Sequence, residues 1–233
     1  DGTAAGTVLV KDLNPATNTY YGYTYADSGR PDQLTAAGGV LYFSADDGVN
    51  GRELWKSDGT TAGTVLVADA NPGAGSTEMN QLTPVGGTLF FSGQDSAGYE
   101  LWSSDGTTVA RFADISPGPA SSSPRELTAV NGKLFFTAAP GGSGRLLSVA
   151  TPGGTVTQLI NTPGYSYSYD LEAVGNTLFF SGENSANGRE LWKSDGTEAG
   201  TTLAVDIRSG ANNSRPYQLT NVAGTLFFTA DDG

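Results

Sequence analysis

The chain has no cysteine and no histidine among its 233 residues. The lack of cysteine excludes disulfides, thiolate catalysis and cysteine-ligated zinc. The lack of histidine removes the most common general base and metal ligand. No run of about 18 apolar residues occurs, so we expect no insertion into a membrane. Ca²⁺ is therefore the only metal ion that remains worth considering.

Basic residues are scarce, since 12 Lys and Arg stand against 24 Asp and Glu, for a net charge of −12. A surface of that sign repels phosphate backbones, so nucleic acid is not an expected partner. Glycine and proline are abundant, with 33 and 11 residues, while hydrophobic residues make up 37% of the chain. This composition favours many short strands and turns around a modest core, rather than disorder.

An eight-residue motif, Glu-Leu-Trp-x-Ser-Asp-Gly-Thr, occurs three times, at residues 53–60, 100–107 and 190–197. The first two copies are 47 residues apart, and the next interval is 90 residues, or two units of 45. Residues 145–149 form a degenerate copy within that interval. A Leu-aromatic-Phe triplet recurs five times, at residues 41–43, 89–91, 134–136, 178–180 and 226–228. The chain therefore contains about five copies of one unit.

Each copy shows the pattern of four short strands. In the second copy these are residues 81–85, 88–92, 99–103 and 109–113, and Gly-Gly separates the first two as a hairpin turn. Four antiparallel strands per 40–50 residues are typical of a β-propeller blade. A β-solenoid is the alternative, but its rungs are shorter and lack two hairpin turns per unit. We predict an all-β fold, a β-propeller of about five four-stranded blades.

The predicted blades form one repeat domain over residues 1–233. Their approximate bounds are 33–69, 80–114, 125–160, 169–207, and 216–233 closed by 1–12. Residues 7–11 have the pattern of a fourth strand, and the fifth copy supplies only a first and a second strand. We therefore expect one incomplete blade shared between the two ends of the chain, which suggests a fragment or part of a longer array.

The motif, followed by Ala-Gly-Thr at 62–64 and 199–201 and by a Val-rich strand ending in Asp, resembles the ELWxxDGT-repeat proteins. Those repeats occur mainly in large secreted or surface-associated bacterial proteins. The resemblance covers nearly the whole chain and implies a propeller-like architecture in an extracellular or cell-surface location. The family brings no established catalytic residues. The third copy departs from the motif, so its blade is expected to be specialised.

The repeated residues are expected to have structural roles. Recurrence at one position predicts that the three tryptophans, Trp55, Trp102 and Trp192, are buried between neighbouring blades rather than exposed for sugar stacking. The aspartates before Gly-Thr are expected to form turns by accepting hydrogen bonds from nearby backbone. The glutamates before Leu-Trp are expected to pair with Arg52 and Arg189 or with a neighbouring strand.

The most distinctive candidate site is rich in tyrosine. Four tyrosines, Tyr20, Tyr21, Tyr23 and Tyr25, lie in a connection that is about ten residues longer than in the other copies. The fourth copy has Tyr165, Tyr167 and Tyr169. Tyrosine gives a large contact area at low entropic cost, so these seven residues are the predicted ligand-binding set, for a glycan or a surface protein. The alternative is that the rings only cover one face of the fold.

Two further clusters are candidates for chemistry. Asp46, Asp47 and Asn50 place oxygen ligands in a Gly-rich turn, although the spacing does not match a helix-flanked calcium loop. Ca²⁺ binding therefore stays open beside a solvated hairpin loop. Asp170 and Glu172 alternate onto one face of a predicted inner strand and are the only catalytic candidates, since glycosidases need two carboxylates.

Three functions follow from these features. The favoured one is an extracellular, non-catalytic module that recognises a glycan or a protein through its Tyr-rich connections. The second is a structural subunit of a cell-surface appendage or filament, with self-association through the same loops or an unpaired strand edge. The third is a polysaccharide-degrading enzyme that uses Asp170 and Glu172. No cofactor other than Ca²⁺ is considered.

Overall fold

The computed structural model describes residues 2–142, 144–159 and 169–233, and within these ranges the fold is all-β. A short hairpin, β1 (Thr17–Tyr20) and β2 (Tyr23–Ala26), precedes five sheets, which we call blades 1 to 5. The blade strands are β3 (Asp32–Ala37), β4 (Val40–Asp46), β5 (Arg52–Ser57), β6 (Val65–Ala68), β7 (Asn80–Val85), β8 (Thr88–Asp95), β9 (Gly98–Ser104), β10 (Val109–Ala113), β11 (Arg125–Val130), β12 (Lys133–Ala138), β13 (Leu146–Ala150), β14 (Val156–Gln158), β15 (Tyr169–Val174), β16 (Thr177–Asn184), β17 (Gly188–Ser194), β18 (Thr202–Val205), β19 (Tyr217–Val222) and β20 (Thr225–Thr229).

Blades 1 to 4 are four-stranded antiparallel sheets whose strands follow one another in sequence, and blade 5 contains β19 and β20. The first strands of successive blades, from β3 to β19, lie side by side in order. This is the arrangement of a β-propeller, so the prediction of an all-β, propeller-like repeat is confirmed. Over the described ranges β19 does not pack against β3 in the same way, and the sheets form an open arc. No helix in those ranges is long and apolar enough to cross a membrane.

All three tryptophans are buried, and Trp102 and Trp192 lie between neighbouring blades, as predicted. Trp102 of blade 2 packs with Leu54 of blade 1, and Trp192 of blade 4 packs with Leu147 of blade 3. A Cβ at Gly93 would lie 2.8 Å from Trp102 Cδ1, so the missing side chain makes room for the indole. Burying an indole removes on the order of 200 Å² of surface from water. These contacts therefore contribute much of the apolar packing between neighbouring blades.

The glutamate before each Leu-Trp is fully buried and holds the connection between blades. Both oxygens of the Glu100 carboxylate accept backbone N–H groups, from Ile115 at 2.8 Å and from Ser122 at 2.9 Å. The Ser122 hydroxyl also donates to Glu100, at 2.7 Å. The same three-donor arrangement occurs at the other two glutamates, Glu53 with Ala70 and Thr77, and Glu190 with Ile207 and Ser214.

Of the two expected partners, neither the arginines nor a neighbouring strand binds these glutamates, whose donors lie in the connections between blades. Arg52 donates to the Ser44 hydroxyl and the Arg30 carbonyl, and Arg189 pairs with Glu183. A buried carboxylate is stabilised more by several fixed backbone donors than by a mobile surface cation, because the donors also satisfy both oxygens. Desolvation still raises the pKa of Glu53, against the opposing effect of its hydrogen bonds.

Blade 3 lacks both motif residues at the same positions. Leu146 stands where the other blades have glutamate, and Ser148 stands where they have tryptophan. Ser148 is fully buried, and its hydroxyl has no hydrogen-bond partner among the described residues. The apolar cluster between blades 2 and 3 contains no tryptophan and includes Phe90 and Phe112, whose rings meet edge to face with centroids 5.0 Å apart. The third copy is structurally different, in line with its sequence.

The segment before the hairpin differs from its prediction. Residues 7–11 do not form a strand. They lie against blade 1, where Lys11 Nζ donates to the Thr64 carbonyl at 2.7 Å and sits 5.8 Å from the centre of the Trp55 ring. Leu13 packs on the same cluster. The segment therefore covers the face of Trp55 that a preceding blade covers elsewhere.

We expect Glu100→Ala to reduce the free energy of unfolding by about 3 kcal/mol or more, because it leaves three donors without their buried acceptor. Urea denaturation monitored by tryptophan fluorescence measures the change. Glu183→Ala is the control, since it removes only a half-exposed ion pair worth less than about 1 kcal/mol. Equal losses in the two variants would contradict the role given to Glu100.

Candidate functional site

The Tyr-rich connection is a β-hairpin rather than an irregular loop. β1 pairs with β2 so that Tyr20 lies opposite Tyr23 and Asn18 lies opposite Tyr25. The hairpin is closed at its base by a hydrogen bond from Asp27 N to the Ala16 carbonyl, 2.8 Å long. Alternation of Tyr with Gly or Thr over these residues is the period-two pattern of a strand, which explains the structure.

The hairpin presents its tyrosines outward. Tyr23 and Tyr25 are two residues apart on β2, so they share one face. Their exposed fractions are 68% and 57%, and Tyr21 in the turn is 86% exposed. Opposite residues of an antiparallel pair point to the same side, so Asn18 belongs to that face as well. The rings of Tyr21, Tyr23 and Tyr25 thus lie open to solvent instead of covering the blades.

The second tyrosine group is only partly described. Tyr165 and Tyr167 lie outside the described residues. Tyr169 is the first residue of β15, where its backbone pairs with Ser181. It therefore begins an inner strand and does not belong to a connection between blades.

The first strands carry a repeated bulge beside the common axis. One polar residue in each strand has a left-handed backbone, with φ between 55° and 60°, and the strand pairing shifts there. We call these residues the axial set: Gln33, Gln81, Glu126, Asp170 and Gln218.

The side chains at these bulges link neighbouring blades in series. Gln33 Oε1 accepts the backbone N–H of Gln81 at 3.0 Å, and Gln81 Oε1 accepts that of Leu127 at 3.3 Å. Asp170 Oδ2 accepts the N–H of Gln218 at 2.7 Å. The bulge turns each side chain along the direction of the ring, so that one blade's acceptor reaches the next blade's donor.

Of the two catalytic candidates, Asp170 is one of these bulge residues, and Glu172 lies two residues further along the same strand. Glu172 Oε1 accepts the backbone N–H of Asn221 at 2.9 Å, just as Asp170 accepts that of Gln218. Both carboxylates therefore bind the first strand of blade 5. One oxygen of each carboxylate is thus engaged in holding the neighbouring blade.

Within the axial set, Glu126 has a carboxyl group whose charged form is disfavoured by its surroundings. Burial raises the pKa of the Glu126 carboxyl above its usual value, and the Asp170 carboxylate adds to the rise. The backbone N–H of Asp170 and the guanidinium groups of Arg145 and Arg125 oppose it. Oε2 of Glu126 is buried without a hydrogen-bond partner among the described residues. Glutamine occupies this position in three other blades.

The calcium candidates form a turn that satisfies its own oxygens. Asp46 Oδ1 accepts the N–H of Gly48, and Asp47 Oδ1 accepts those of Val49 and Asn50, at 2.8–2.9 Å. Asp47 Oδ2 accepts the Asn50 amide at 2.7 Å. In the described part of the chain, no three Asp or Glu side chains converge in a geometry suited to a metal ion. Ca²⁺ binding at this turn stays a hypothesis that a melting curve with and without EDTA tests.

A polar cleft that the sequence reasoning missed lies between blades 2 and 3. It has a volume of about 480 Å³ and is lined mainly by Asn80, Ser92, Tyr99, Ser123, Pro124 and Arg125. Tyr99 lies just before the motif glutamate, where the other copies have Arg52, Arg145 and Arg189. That exchange of tyrosine for arginine was the available sequence signal.

Comparison with known proteins gives a likeness in fold. Neither a protein-family model nor a curated protein sequence matches the chain. Among solved structures, virginiamycin B lyase from Staphylococcus aureus is similar over 85% of this chain and 62% of its own, with 17% identity and a TM-score of 0.52. An acylaminoacyl peptidase from Pyrococcus horikoshii is similar over 78% of this chain and 28% of its own, with 13% identity and a TM-score of 0.51.

A puromycin-hydrolysing peptidase from Mycobacterium tuberculosis is similar over 89% of this chain and 35% of its own, with 13% identity and a TM-score of 0.50. The chain thus spans between 28% and 62% of the length of these three proteins. At such identities the likeness concerns the fold, and it supports the propeller architecture.

We expect Glu126→Gln to raise the melting temperature at pH 7, because it replaces a buried charge by the amide found at the equivalent positions of blades 1, 2 and 5. The raised pKa means that the folded state binds the proton more tightly than the unfolded state. The wild-type carboxyl therefore weakens the fold once the pH exceeds its folded pKa, and the difference between the proteins should shrink as the pH falls.

Calorimetry at pH 7 and pH 4 measures this difference, with Glu78→Gln, an exposed carboxylate, as the control. A gap that stays constant with pH would contradict the assignment of the strain to Glu126.

Proposed function

We propose that this propeller arc is a non-catalytic recognition module, which binds a glycan or a surface protein through the Tyr-rich hairpin. The observation that carries the proposal is the shared, solvent-exposed face of Tyr23 and Tyr25, with Tyr21 beside them in the turn. Large aromatic side chains exposed together in a soluble protein mark interaction surfaces more often than isolated ones do. Tyr21, Tyr23 and Tyr25 are absent from the apolar clusters formed by the described residues, so the packing between blades does not depend on these three rings.

Tyrosine suits this role chemically. Its ring packs on the apolar C–H face of a sugar or on a peptide side chain, while the hydroxyl group hydrogen-bonds at the edge. Only two side-chain torsions become fixed on binding, so the entropic cost is small. A two-stranded hairpin also holds successive tyrosines about 7 Å apart, a spacing that suits neighbouring units of an extended ligand.

The absence of catalysis belongs to the same proposal. It is supported by the use of Asp170 and Glu172 as acceptors for the backbone of blade 5. An extracellular or cell-surface location in bacteria is supported by the resemblance of the motif to the ELWxxDGT repeats.

The blade count is a further element of the proposal. We take the ring to have about five blades. Blade 5 would then be formed by residues 216–233 together with residues 1–12. The position of residues 2–12 supports this, because Thr61 Oγ1 donates to the Val10 carbonyl at 2.7 Å and so ties the segment to the outer edge of blade 1.

A structural subunit of a surface filament is the alternative function, and electron microscopy of the purified chain would reveal polymers if it applied.

We expect the double variant Tyr23→Ala/Tyr25→Ala to lose at least tenfold in affinity for the ligands found by glycan-array and surface-protein screening. The control is Thr19→Val/Thr24→Val, which alters the opposite face of the same hairpin, where the two hydroxyls lie 3.4 Å apart. Unchanged binding by the tyrosine variant, with intact circular dichroism, would refute the hairpin as the contact surface.

A further inference from the structure

We infer that the cleft at Tyr99 is a binding site for a saccharide that carries a carboxylate, such as a uronic-acid unit. This inference rests on the glycan form of the proposed function but places a second contact in the body of the propeller. Blade 2 differs from blades 1 and 3 at the residue before the motif glutamate, where it has Tyr99 instead of an arginine.

In blades 1 and 3 an arginine fills the corresponding space. Arg52 Nη1 donates to the Ser44 hydroxyl at 3.0 Å, and it also donates to the carbonyl of the preceding connection, at Arg30. Arg145 repeats both contacts, with the Thr137 hydroxyl at 3.1 Å and the Ser123 carbonyl at 2.6 Å. The guanidinium thus seals the gap between the second strand and the connection.

In blade 2 the sealing group is missing. Tyr99 occupies the arginine position, and Ser92 is the counterpart of Ser44 and Thr137. The Ser92 hydroxyl makes no hydrogen bond among the described residues and borders the cleft. The tyrosine is held in place by its backbone, since its N–H donates to the Ser121 hydroxyl at 2.9 Å and its carbonyl accepts from Ser123 at 3.0 Å. Blade 2 therefore has a tyrosine beside the cleft where blades 1 and 3 have the arginine contact.

The lining indicates the class of ligand. A volume of about 480 Å³ lies within the range of about 300–1,000 Å³ that small-ligand sites show. Tyr99, which is half-buried, offers apolar surface for the C–H face of a pyranose, and Asn80 and Ser92 offer polar groups for its hydroxyls. Such a mixture of a ring surface with a few fixed polar groups is characteristic of sugar binding.

Arg125 adds the preference for an acid. It is exposed and lines the cleft, and within the described residues it forms no ion pair. Its planar fork matches a carboxylate in two parallel hydrogen bonds. Blades 1 and 2 have Asp32 and Asn80 at this strand position, so the cation is specific to blade 3. The net charge of −12 acts mainly at long range, where salt screens it over about 8 Å, whereas this contact is direct.

The decisive variant is Tyr99→Arg, which restores the residue of blades 1, 3 and 4. Its side chain should reach the Ser92 hydroxyl and fill the cleft, so the melting temperature should stay equal or rise. Calorimetric titration would use trisaccharides of glucuronate, galacturonate, mannuronate and guluronate, each beside its carboxyl-reduced neutral form. We expect wild-type protein to bind at least one acid trisaccharide, and Tyr99→Arg to weaken that binding more than tenfold.

Arg125→Gln separates the charge from the shape of the cleft. It should weaken binding of the acid about tenfold and leave the neutral form unchanged. Binding of acid and neutral forms with equal affinity by wild-type protein would overturn the inference, as would failure of all four acids to bind.

The hairpin variant Tyr23→Ala/Tyr25→Ala distinguishes this site from the hairpin surface. Retention of acid binding in that variant, together with its loss in Tyr99→Arg, is the expected pattern. The reverse pattern would overturn the cleft assignment and leave the proposed hairpin function standing.

Discussion

The fold depends on one requirement: each buried glutamate carboxylate must accept hydrogen bonds from the backbone of the connection to the next blade. Glu53, Glu100 and Glu190 each accept two N–H groups that lie seven residues apart, at the start and the end of that connection. An unpaired carboxylate at these buried positions would cost several kcal/mol. Each glutamate therefore fixes the path of the chain from one blade to the next, and Trp102 and Trp192 pack against the preceding blade in the same way.

Where that constraint is absent or interrupted, the blades acquire individual features. The hairpin β1–β2 is inserted between Leu13 and Gly29, which correspond to the two ends of the glutamate-bound connections. It extends outward without disturbing blade 1. Blade 3 replaces the glutamate by Leu146, and Ser148 replaces the tryptophan. A repeated scaffold tolerates such changes because each blade contacts only its neighbours.

The axis shows a second series of contacts, made by the left-handed bulge residues. Glutamine suits this position, since its amide accepts a backbone N–H without adding charge. Glu126 and Asp170 bring two neighbouring carboxylates to the same series; burial raises the pKa of Glu126, and the Asp170 carboxylate adds to the rise. The pair that the sequence suggested for catalysis is part of the link between blades 4 and 5.

The repeat itself was predictable from the sequence, because period-two apolar triplets, turn residues and the recurring motif are local signals. They determined the four-stranded unit, the burial of the tryptophans and the place of the tyrosine group in the chain, whereas the exposure of Tyr21, Tyr23 and Tyr25 came from the structure. The donors to the glutamates, the bulges and the Tyr99 cleft came only from the tertiary structure, since each joins residues that lie 15–50 positions apart in the chain. A single sequence shows which residues recur, but only the packing of neighbouring blades decides which polar groups meet and where a missing arginine leaves space.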